Sequence, residues 1–181
     1  MKKICIIDGR DNPDIDFKTE ISHLFIREDN ETDYDYFTLK DMNINYCIGC
    51  WDCWVKTPGI CRLKDDHKLV LKSLINSQHV LFISNVRTGF ITSTLKKTLD
   101  RIIPCVLPYI REFNNESHHY PRYKNTAKFH VLLMEDILTS ETEINLIEDY
   151  FNRLSLNFYT DVISFTTYIK KGDLANVISN M

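Results

Sequence analysis

Short apolar runs alternate along the chain with segments of helical periodicity. The runs are contiguous apolar stretches or are rich in aromatic and β-branched residues, so they predict β-strands. The five predicted strands cover residues 3–8, 33–39, 79–84, 127–134 and 157–166. The first strand is expected to be buried on both faces, because four apolar residues follow one another from Ile4 to Ile7.

Four helices are predicted between and after these strands, each from an apolar stripe with a polar residue at its start. The expected caps are Asp16, then Asp65 or Asp66, then Thr92 or Ser93, and finally a capping box that begins at Ser140. A short helix is predicted at the end of the chain. Residues 106–126 show no clear period and predict a long connection, a kind of segment that is often functional or disordered.

The alternation of strands and helices predicts an α/β fold with helices on both faces of a parallel sheet. Five strands suit the doubly wound order 2-1-3-4-5. Ligands bind such sheets at the carboxyl ends of the strands, near the point where the strand order reverses. We therefore expect site residues just after strands one, three and four, in segments 9–16, 85–90 and 135–139.

The composition narrows the class of protein. A chain of 181 residues predicts a single domain, here 1–181, with an ordinary globular core. Its formal net charge of −3 and the lack of a basic block argue against a nucleic-acid partner. No apolar run approaches the roughly 18 residues of a membrane helix, and the run ended by Asp8 is too short for a secretory signal. We expect a cytoplasmic protein with reduced thiols.

Four of the six cysteines lie close together in the sequence, with the spacing C-x2-C-x2-C-x7-C; they are Cys47, Cys50, Cys53 and Cys61. Thiolates two residues apart converge on one metal, so the set suits a [4Fe–4S] cluster or zinc. Alternatively, the thiols are reduced and buried, and Trp51 and Trp54 pack the segment without metal. A third possibility is a thiol pair that undergoes redox chemistry near a flavin.

Two segments resemble a known family. The cysteine segment is followed by Asp65 and Asp66, and residues 84–101 combine Gly89 with a Lys-x-x-x-Asp-Arg ending at Lys96, Asp100 and Arg101. Together they resemble the flavodoxin-like NAD(P)H-dependent FMN reductases, of which the iron–sulfur flavoproteins form a branch. The resemblance covers residues 47–108 with specific motifs and the rest of the chain in topology only.

The resemblance implies a flavodoxin-like fold, FMN at the switch point and a homo-oligomer. It implies that the loop after strand three lies along the flavin ring, a role that falls on Asn85, Val86, Arg87, Thr88 and Gly89. In such reductases hydride passes from NAD(P)H to the flavin without an acid or base from the protein, so no catalytic side chain is expected. Electrons then pass to a small acceptor.

The sequence departs from the family pattern in three places. Arg87 replaces an aromatic residue, and either contacts the reduced flavin or substrate or is a surface arginine. The phosphate loop contains Asp11, Asp14 and Asp16, which oppose a dianion, and Pro13, which lacks an N–H donor.

Gly9, Arg10 and Asn12 remain the candidate phosphate-binding residues in that loop. In the long connection, a polar group either binds substrate or nicotinamide phosphate or is a solvated surface; it consists of His118, His119, Arg122 and Tyr123.

Three functions remain open on the sequence. The first is an FMN-dependent NAD(P)H oxidoreductase that passes electrons to a small acceptor or an electron-carrier partner. The second is an iron–sulfur flavoprotein electron carrier that uses the four-cysteine set. The third is a flavodoxin-like binding or regulatory protein with weak or lost FMN binding, which the aspartate-rich first loop favours.

Overall fold

The computed structural model describes residues 3–11, 16–28, 32–124, 126–134, 139–168 and 172–181. The strands are β1 (Lys3–Asp8), β2 (Asp33–Thr38), β3 (His79–Arg87), β4 (Phe90–Ile91), β5 (Val106–Phe113), β6 (Glu116–Pro121), β7 (Lys128–Met134) and β8 (Val162–Tyr168). The helices are α1 (Phe17–Glu28), α2 (Asp52–Val55), α3 (His67–Asn76), α4 (Ser93–Leu99), α5 (Glu141–Leu156) and α6 (Gly172–Ser179). No helix among the described residues is long and apolar enough to cross a membrane.

Five parallel strands form the central sheet in the order β2-β1-β3-β7-β8, which confirms the predicted order 2-1-3-4-5. β1 lies between β2 and β3, with Ile4 opposite Tyr34 on one side and His79 on the other. The chain leaves β1 in one direction for β2 and later returns on the other side for β3. The switch point is therefore the crevice at the carboxyl ends of β1 and β3.

The side chains of β1 alternate between two cores, as expected for a strand covered on both faces. Ile4 and Ile6 face a core formed with α1 and α6, whereas Cys5 and Ile7 face a core formed with α3, α4 and α5. β3 alternates in the same way: Leu81 faces the core formed with α1 and α6, whereas the residues on either side of it face the core formed with α3, α4 and α5. Both central strands are thereby fixed, and so are the loops that follow them.

Residues 106–121 form a β-hairpin, so the prediction of a connection without regular structure was wrong there. β5 and β6 pair with each other and with no other strand in the described chain, and most β5 side chains are exposed. A two-stranded ribbon with no buried face has no apolar alternation to detect. The turn residues Asn114 and Asn115 have φ values of 52° and 61°, which is the left-handed backbone of a tight hairpin turn.

The last strand begins later than predicted. Instead of residues 157–166, β8 covers Val162–Tyr168, because α5 continues to Leu156 and its last turn closes through Asn157 and Phe158. Tyr159 then turns the chain at φ 53°. The capping box of α5 is confirmed: Ser140 accepts from the N–H of Glu143, whose carboxylate accepts from the N–H of Ser140.

Candidate functional site

The first residue after β1 is held tightly against β3 and α4. The N–H of Gly9 donates to the Ile83 carbonyl (2.8 Å), and Thr92 Oγ1 donates to the Gly9 carbonyl (2.6 Å). Thr92 also caps α4 by accepting from the N–H of Leu95 (3.2 Å), as the sequence predicted. A Cβ on residue 9 would lie 2.6 Å from the Leu95 Cβ, so glycine is required here by packing.

Arg10 is turned into the protein and bound to a buried carboxylate. Its Nε and Nη2 donate to the two oxygens of Asp8 at 2.9 and 2.7 Å, and both side chains are 3% exposed. The Tyr36 hydroxyl donates to Asp8 Oδ2 (2.7 Å), and the Arg10 guanidinium lies 4.0 Å from the Phe17 ring centroid. Arg10 therefore neutralises Asp8, a buried acid whose importance the sequence did not reveal.

A second set of contacts joins the β1 loop to the β3 hairpin. The N–H of Asp11 donates to Asn85 Oδ1 (3.2 Å), and the Asp11 carboxylate lies 3.5 Å from Arg87 Nε. Both charged side chains are about half exposed. Asn85 and Arg87, predicted to lie along a flavin ring, are thus brought to the switch point, where they contact the first loop.

Residues 85–90 belong to a short antiparallel hairpin formed by the end of β3, a two-residue turn and the start of β4. Val86 pairs with Ile91 and is buried in the core, so only its backbone faces the site. Thr88 and Gly89 form the turn at φ 47° and 79°, which projects Arg87 and Thr88 to the surface. The predicted flavin-ring segment is therefore the end of β3 and its turn, with Arg87 and Thr88 exposed at the carboxyl edge of the sheet.

Asp16 occupies the start of α1. Its carboxylate accepts from the N–H of Thr19 (3.1 Å) and from the Thr19 hydroxyl (2.6 Å), which confirms the predicted cap. These hydrogen bonds from Thr19 hold the pKa of Asp16 below its usual value. Asn12 lies outside the described residues, as do positions 13–15 and 135–138.

The described residues of this loop do not fit a phosphate dianion. Its one cation, Arg10, is bound to Asp8, and the N–H of Thr19 in the first turn of α1 is bound to Asp16. The Asp11 N–H donates to Asn85. Gly9 is engaged in packing and Arg10 in the buried pair, and their part in phosphate binding stays a prediction.

The four clustered cysteines line one concavity. It has a volume of about 50 Å³, is open to solvent and is otherwise mostly apolar; its lining includes Cys47, Cys50, Cys53 and Cys61 with Ile48, Leu63, Arg101, Ile103 and Pro104. All six cysteines of the chain are free thiols. The tertiary structure therefore gathers the whole set that the spacing singled out.

The electrostatics of the set also show that the thiols are neighbours. Burial, followed by the nearby thiols of Cys61, Cys50 and Cys47, raises the pKa of Cys53. In the part of the chain that the structure describes, no three His, Cys, Asp or Glu side chains are arranged to hold a single metal ion. A four-iron cluster differs from a single ion, because each cysteine binds a different iron and the sulfurs stand further apart around it.

Arg101 connects this concavity to the core. Its side chain is 1% exposed and donates twice to the Asp65 carboxylate (2.6 and 3.0 Å), once to the Asn45 carbonyl (2.9 Å) and once to Cys61 Sγ (3.4 Å). The sequence pointed to Arg101 through the family-like motif and to Asp65 through that motif and as a candidate helix cap, and it did not predict their pairing. A guanidinium that is always charged is thereby fixed beside one of the four sulfurs.

Trp54 packs the cysteine segment against the β5–β6 hairpin. Trp54 Nε1 donates to the carbonyls of Ile103 and Val106 (3.2 and 3.0 Å), and its ring lies 5.1 Å from that of His119. Arg122 donates to the Pro104 carbonyl (2.8 Å), and His118 is buried beside Glu116. Three members of the polar group in the long connection, His118, His119 and Arg122, thus make contacts within and beside the hairpin, and a role of the group in substrate binding stays a prediction.

Comparisons with known proteins bear on both the cysteine concavity and the switch point at the carboxyl ends of β1 and β3. No protein-family model matches the chain. An iron–sulfur flavoprotein of Methanocaldococcus jannaschii is 33% identical over 70 residues, which is 39% of this chain and 35% of that protein. The chain thus aligns with about a third of the length of this relative.

Solved structures with the same fold cover nearly the whole chain. An FMN-dependent NADH-azoreductase from Bacillus anthracis, solved with FMN, has a TM-score of 0.61 at 12% identity over 97% of this chain and 93% of that one. The protein Smu.1420 of Streptococcus mutans has a TM-score of 0.64 at 12% identity over 99% and 100%. The flavodoxin-like fold and the resemblance stated from the sequence are confirmed.

Proposed function

We propose that this chain is an electron carrier of the iron–sulfur flavoprotein kind, which takes electrons from NAD(P)H and passes them to a small acceptor or an electron-carrying protein. The observation that carries the proposal is the gathering of four cysteines around one concavity beside a buried arginine. When bound, a flavin supplies hydride chemistry with the nicotinamide, and a [4Fe–4S] cluster supplies single-electron transfer.

In this proposal Cys47, Cys50, Cys53 and Cys61 hold the cluster as thiolates. Four thiolates make the site strongly anionic, and Arg101 offsets that charge because its guanidinium cannot lose its proton. Asp65 fixes the guanidinium with two hydrogen bonds, so Arg101 stays directed at Cys61.

The flavin is proposed to lie along the β3–β4 turn, with backbone N–H groups of residues 85–89 toward the ring. Arg87 is the nearest exposed cation on that turn and is directed toward Asp11. The B. anthracis azoreductase, a protein of the same fold, is named for FMN and NADH, which supports a flavin and a nicotinamide at this edge of the sheet.

The decisive experiment is anaerobic reconstitution of the full chain with iron and sulfide. We expect about four irons per chain, with matching acid-labile sulfide and a visible absorbance that dithionite bleaches. Cys50→Ser is expected to lose most of this iron. Cys5→Ser is the matched control, because Cys5 is fully buried on β1 and does not line the concavity, and it should retain the iron.

Wild-type chain that retains little iron, or that takes up zinc instead, would refute the cluster. So would a Cys50→Ser variant with unchanged iron. Reduction of the reconstituted, flavin-loaded chain by NADH or NADPH under anaerobic conditions tests the electron donor. Absence of bleaching with both nucleotides would count against the oxidoreductase.

A flavodoxin-like protein without flavin remains the second candidate, and one observation favours it: the phosphate loop binds its own carboxylates. Failure to bind any flavin together with failure to assemble iron would support it. We also propose a single domain over residues 1–181, a homo-oligomer and a cytoplasmic location. Sedimentation equilibrium of the purified chain tests the oligomer.

A further inference from the structure

The segment that carries the four cysteines, residues 46–64, exposes a cluster of large apolar side chains. Of the large apolar residues that the described chain exposes, five lie in this short segment; they are Tyr46, Ile48, Trp51, Val55 and Ile60. Single exposed apolar side chains are normal on a protein surface, whereas a cluster of them marks a surface that binds something else. The segment is therefore a candidate for contact with a partner.

Three of these side chains are placed around the cysteine concavity. Ile48 and Trp51 line the concavity itself. Val55 lies one helical turn beyond Trp51, because its N–H donates to the Trp51 carbonyl (3.1 Å) across α2. The exposed fractions of Ile48, Trp51 and Val55 are 61%, 56% and 72%. We call these three residues, with the neighbouring cations Lys56 and Arg62, the Trp51 surface.

Trp51 is held outward on a fixed support. Its φ of 60° lies in the left-handed region, which a large side chain rarely adopts. Its ring stacks on that of Trp54 at 4.9 Å, and Trp54 is fixed by hydrogen bonds to the carbonyls of Ile103 and Val106. A large aromatic side chain that is fixed and exposed in an uncommon backbone conformation indicates a contact outside the molecule.

The exposed charges of the segment are all positive. Its charged residues are Asp52, Lys56, Arg62 and Lys64, and Asp52, the one acid, is buried. Lys56 Nζ and Arg62 Nη1 lie 3.4 and 3.2 Å from the two oxygens of that carboxylate. Two cations share one anion, so this surface is positive although the formal net charge of the chain is −3. It therefore attracts an anionic surface.

We infer that the Trp51 surface docks on an anionic lipid bilayer. Tryptophan is enriched at the level of the lipid head groups, and surface lysines and arginines are attracted to anionic lipids. In this arrangement Trp51, Ile48 and Val55 enter the head-group region, and Lys56 and Arg62 face the lipid phosphates. The docking brings the cysteine concavity to the bilayer surface. It goes beyond the proposed electron transfer and requires neither a bound cluster nor a bound flavin.

A lipid surface fits these residues better than a protein does. In a contact between two copies related by two-fold symmetry the same surface faces itself, so Lys56 and Arg62 of both copies would repel one another. Lysine is also depleted in protein interfaces in general, whereas it favours anionic lipids. β5 exposes Tyr109 and Ile110 as well, but Glu112 is exposed on the same strand, so that apolar surface lacks a uniform charge.

The test is co-sedimentation of the purified full chain with lipid vesicles. Vesicles of phosphatidylserine and phosphatidylcholine in equal parts should bind the chain about tenfold or more tightly than vesicles of phosphatidylcholine alone, since each cation near the surface contributes about fivefold. Added salt should weaken the binding. Both tryptophans of the chain lie in this segment, and Trp54 is partly buried, so a shift of the fluorescence to shorter wavelength on binding reports on Trp51.

Trp51→Ser and Val55→Ser should each weaken the binding about fivefold or more, because each removes apolar surface that enters the bilayer. Val55 does not line the concavity and is largely exposed, so its variant tests the docking without changing the cysteine site. Tyr109→Ser is the matched control: Tyr109 is 68% exposed on β5, away from the Trp51 surface, and its variant should bind like the wild-type chain.

Each other outcome overturns the inference. Absence of binding to the anionic vesicles, or equal binding to both kinds of vesicle, contradicts docking on an anionic bilayer. Unchanged binding of Trp51→Ser and Val55→Ser, or an equal loss in Tyr109→Ser, shows that the Trp51 surface is not the one that binds. A fluorescence shift that follows the chain concentration without vesicles, in a chain that does not bind them, assigns the surface to a second copy instead.

Discussion

Asp65→Asn is expected to destabilise the fold by about 3 kcal/mol, because it leaves the buried Arg101 charge without its partner. Both side chains are 1% exposed, and their two hydrogen bonds are 2.6 and 3.0 Å long. Asp65 also accepts from the N–H groups of Asn45 and His67. Arg101 Nε already lacks a hydrogen-bond partner among the described atoms, so the guanidinium would keep few acceptors after the substitution.

The magnitude follows from the burial. Removing one partner of a buried ion pair costs about 3 to 5 kcal/mol, and the asparagine carbonyl retains one acceptor, which favours the lower end. With an m-value of about 2 to 3 kcal/mol/M, the urea midpoint should fall by about 1 M. Asp100→Asn is the matched control, since the Lys96–Asp100 pair is exposed and should contribute less than about 1 kcal/mol.

The same carboxylate predicts the behaviour in acid. Burial raises the pKa of Asp65, but hydrogen bonds from Arg101 and Asn45 outweigh it and hold the pKa well below its usual value. The stabilisation is therefore complete above pH 4 or so, the unfolded value, and is lost as the pH falls below it. Asp65→Asn should flatten that loss. If its urea midpoint equals that of Asp100→Asn, the pair does not stabilise the fold as argued.

Two further predictions concern the residues around this pair. Burial, followed by the charge of Arg101, lowers the pKa of His67 to about 4. The free energy of unfolding of the wild-type chain should therefore fall by about 3 kcal/mol as the pH drops from 6.5 toward 4. His67→Gln should remove most of that pH dependence, measured by urea titrations at several pH values. An unchanged slope would contradict a neutral, buried His67. Thr92→Val should lower the free energy of unfolding in urea by about 2 kcal/mol, because it removes the cap of α4 and the hydrogen bond to the Gly9 carbonyl. Thr98→Val loses one hydrogen bond within the helix and should lower it by less than about 1 kcal/mol. Equal losses in the two variants would show that the contact with Gly9 contributes nothing.

The sheet could be predicted because its signals are local. Each central strand is a short apolar run, and strands alternating with helices permit few topologies. The hairpin of β5 and β6 could not be found in this way, because its stability comes from the contact of Trp54 with His119 and from the carbonyls that Arg122 bonds, not from a buried face. Its one local signal was the Asn114-Asn115 turn.

The site was predictable only in part, for a related reason. The cysteine spacing placed four thiols in one segment, but their common concavity depends on Ile103 and Pro104, which come from a distant part of the chain. The buried position of the Arg10 side chain depends on contacts with Tyr36 and Phe17, which lie on two other elements. Sequence spacing indicates which residues are near each other along a loop, whereas tertiary contacts decide which of them face a ligand.

Two buried arginines divide the proposed site into independent halves. Arg101 is fixed by Asp65 but still reaches Cys61, so its charge acts on the concavity. Arg10 is fixed by Asp8 and stacked on Phe17, so its charge is withdrawn from the phosphate loop. Since the two pairs share no residue, iron binding and flavin binding should respond to different substitutions. Asp16→Asn should leave the iron content unchanged, and Cys50→Ser should leave the affinity for flavin unchanged; coupling between the two would mean that the cysteine segment and the β1 loop meet in one cofactor site.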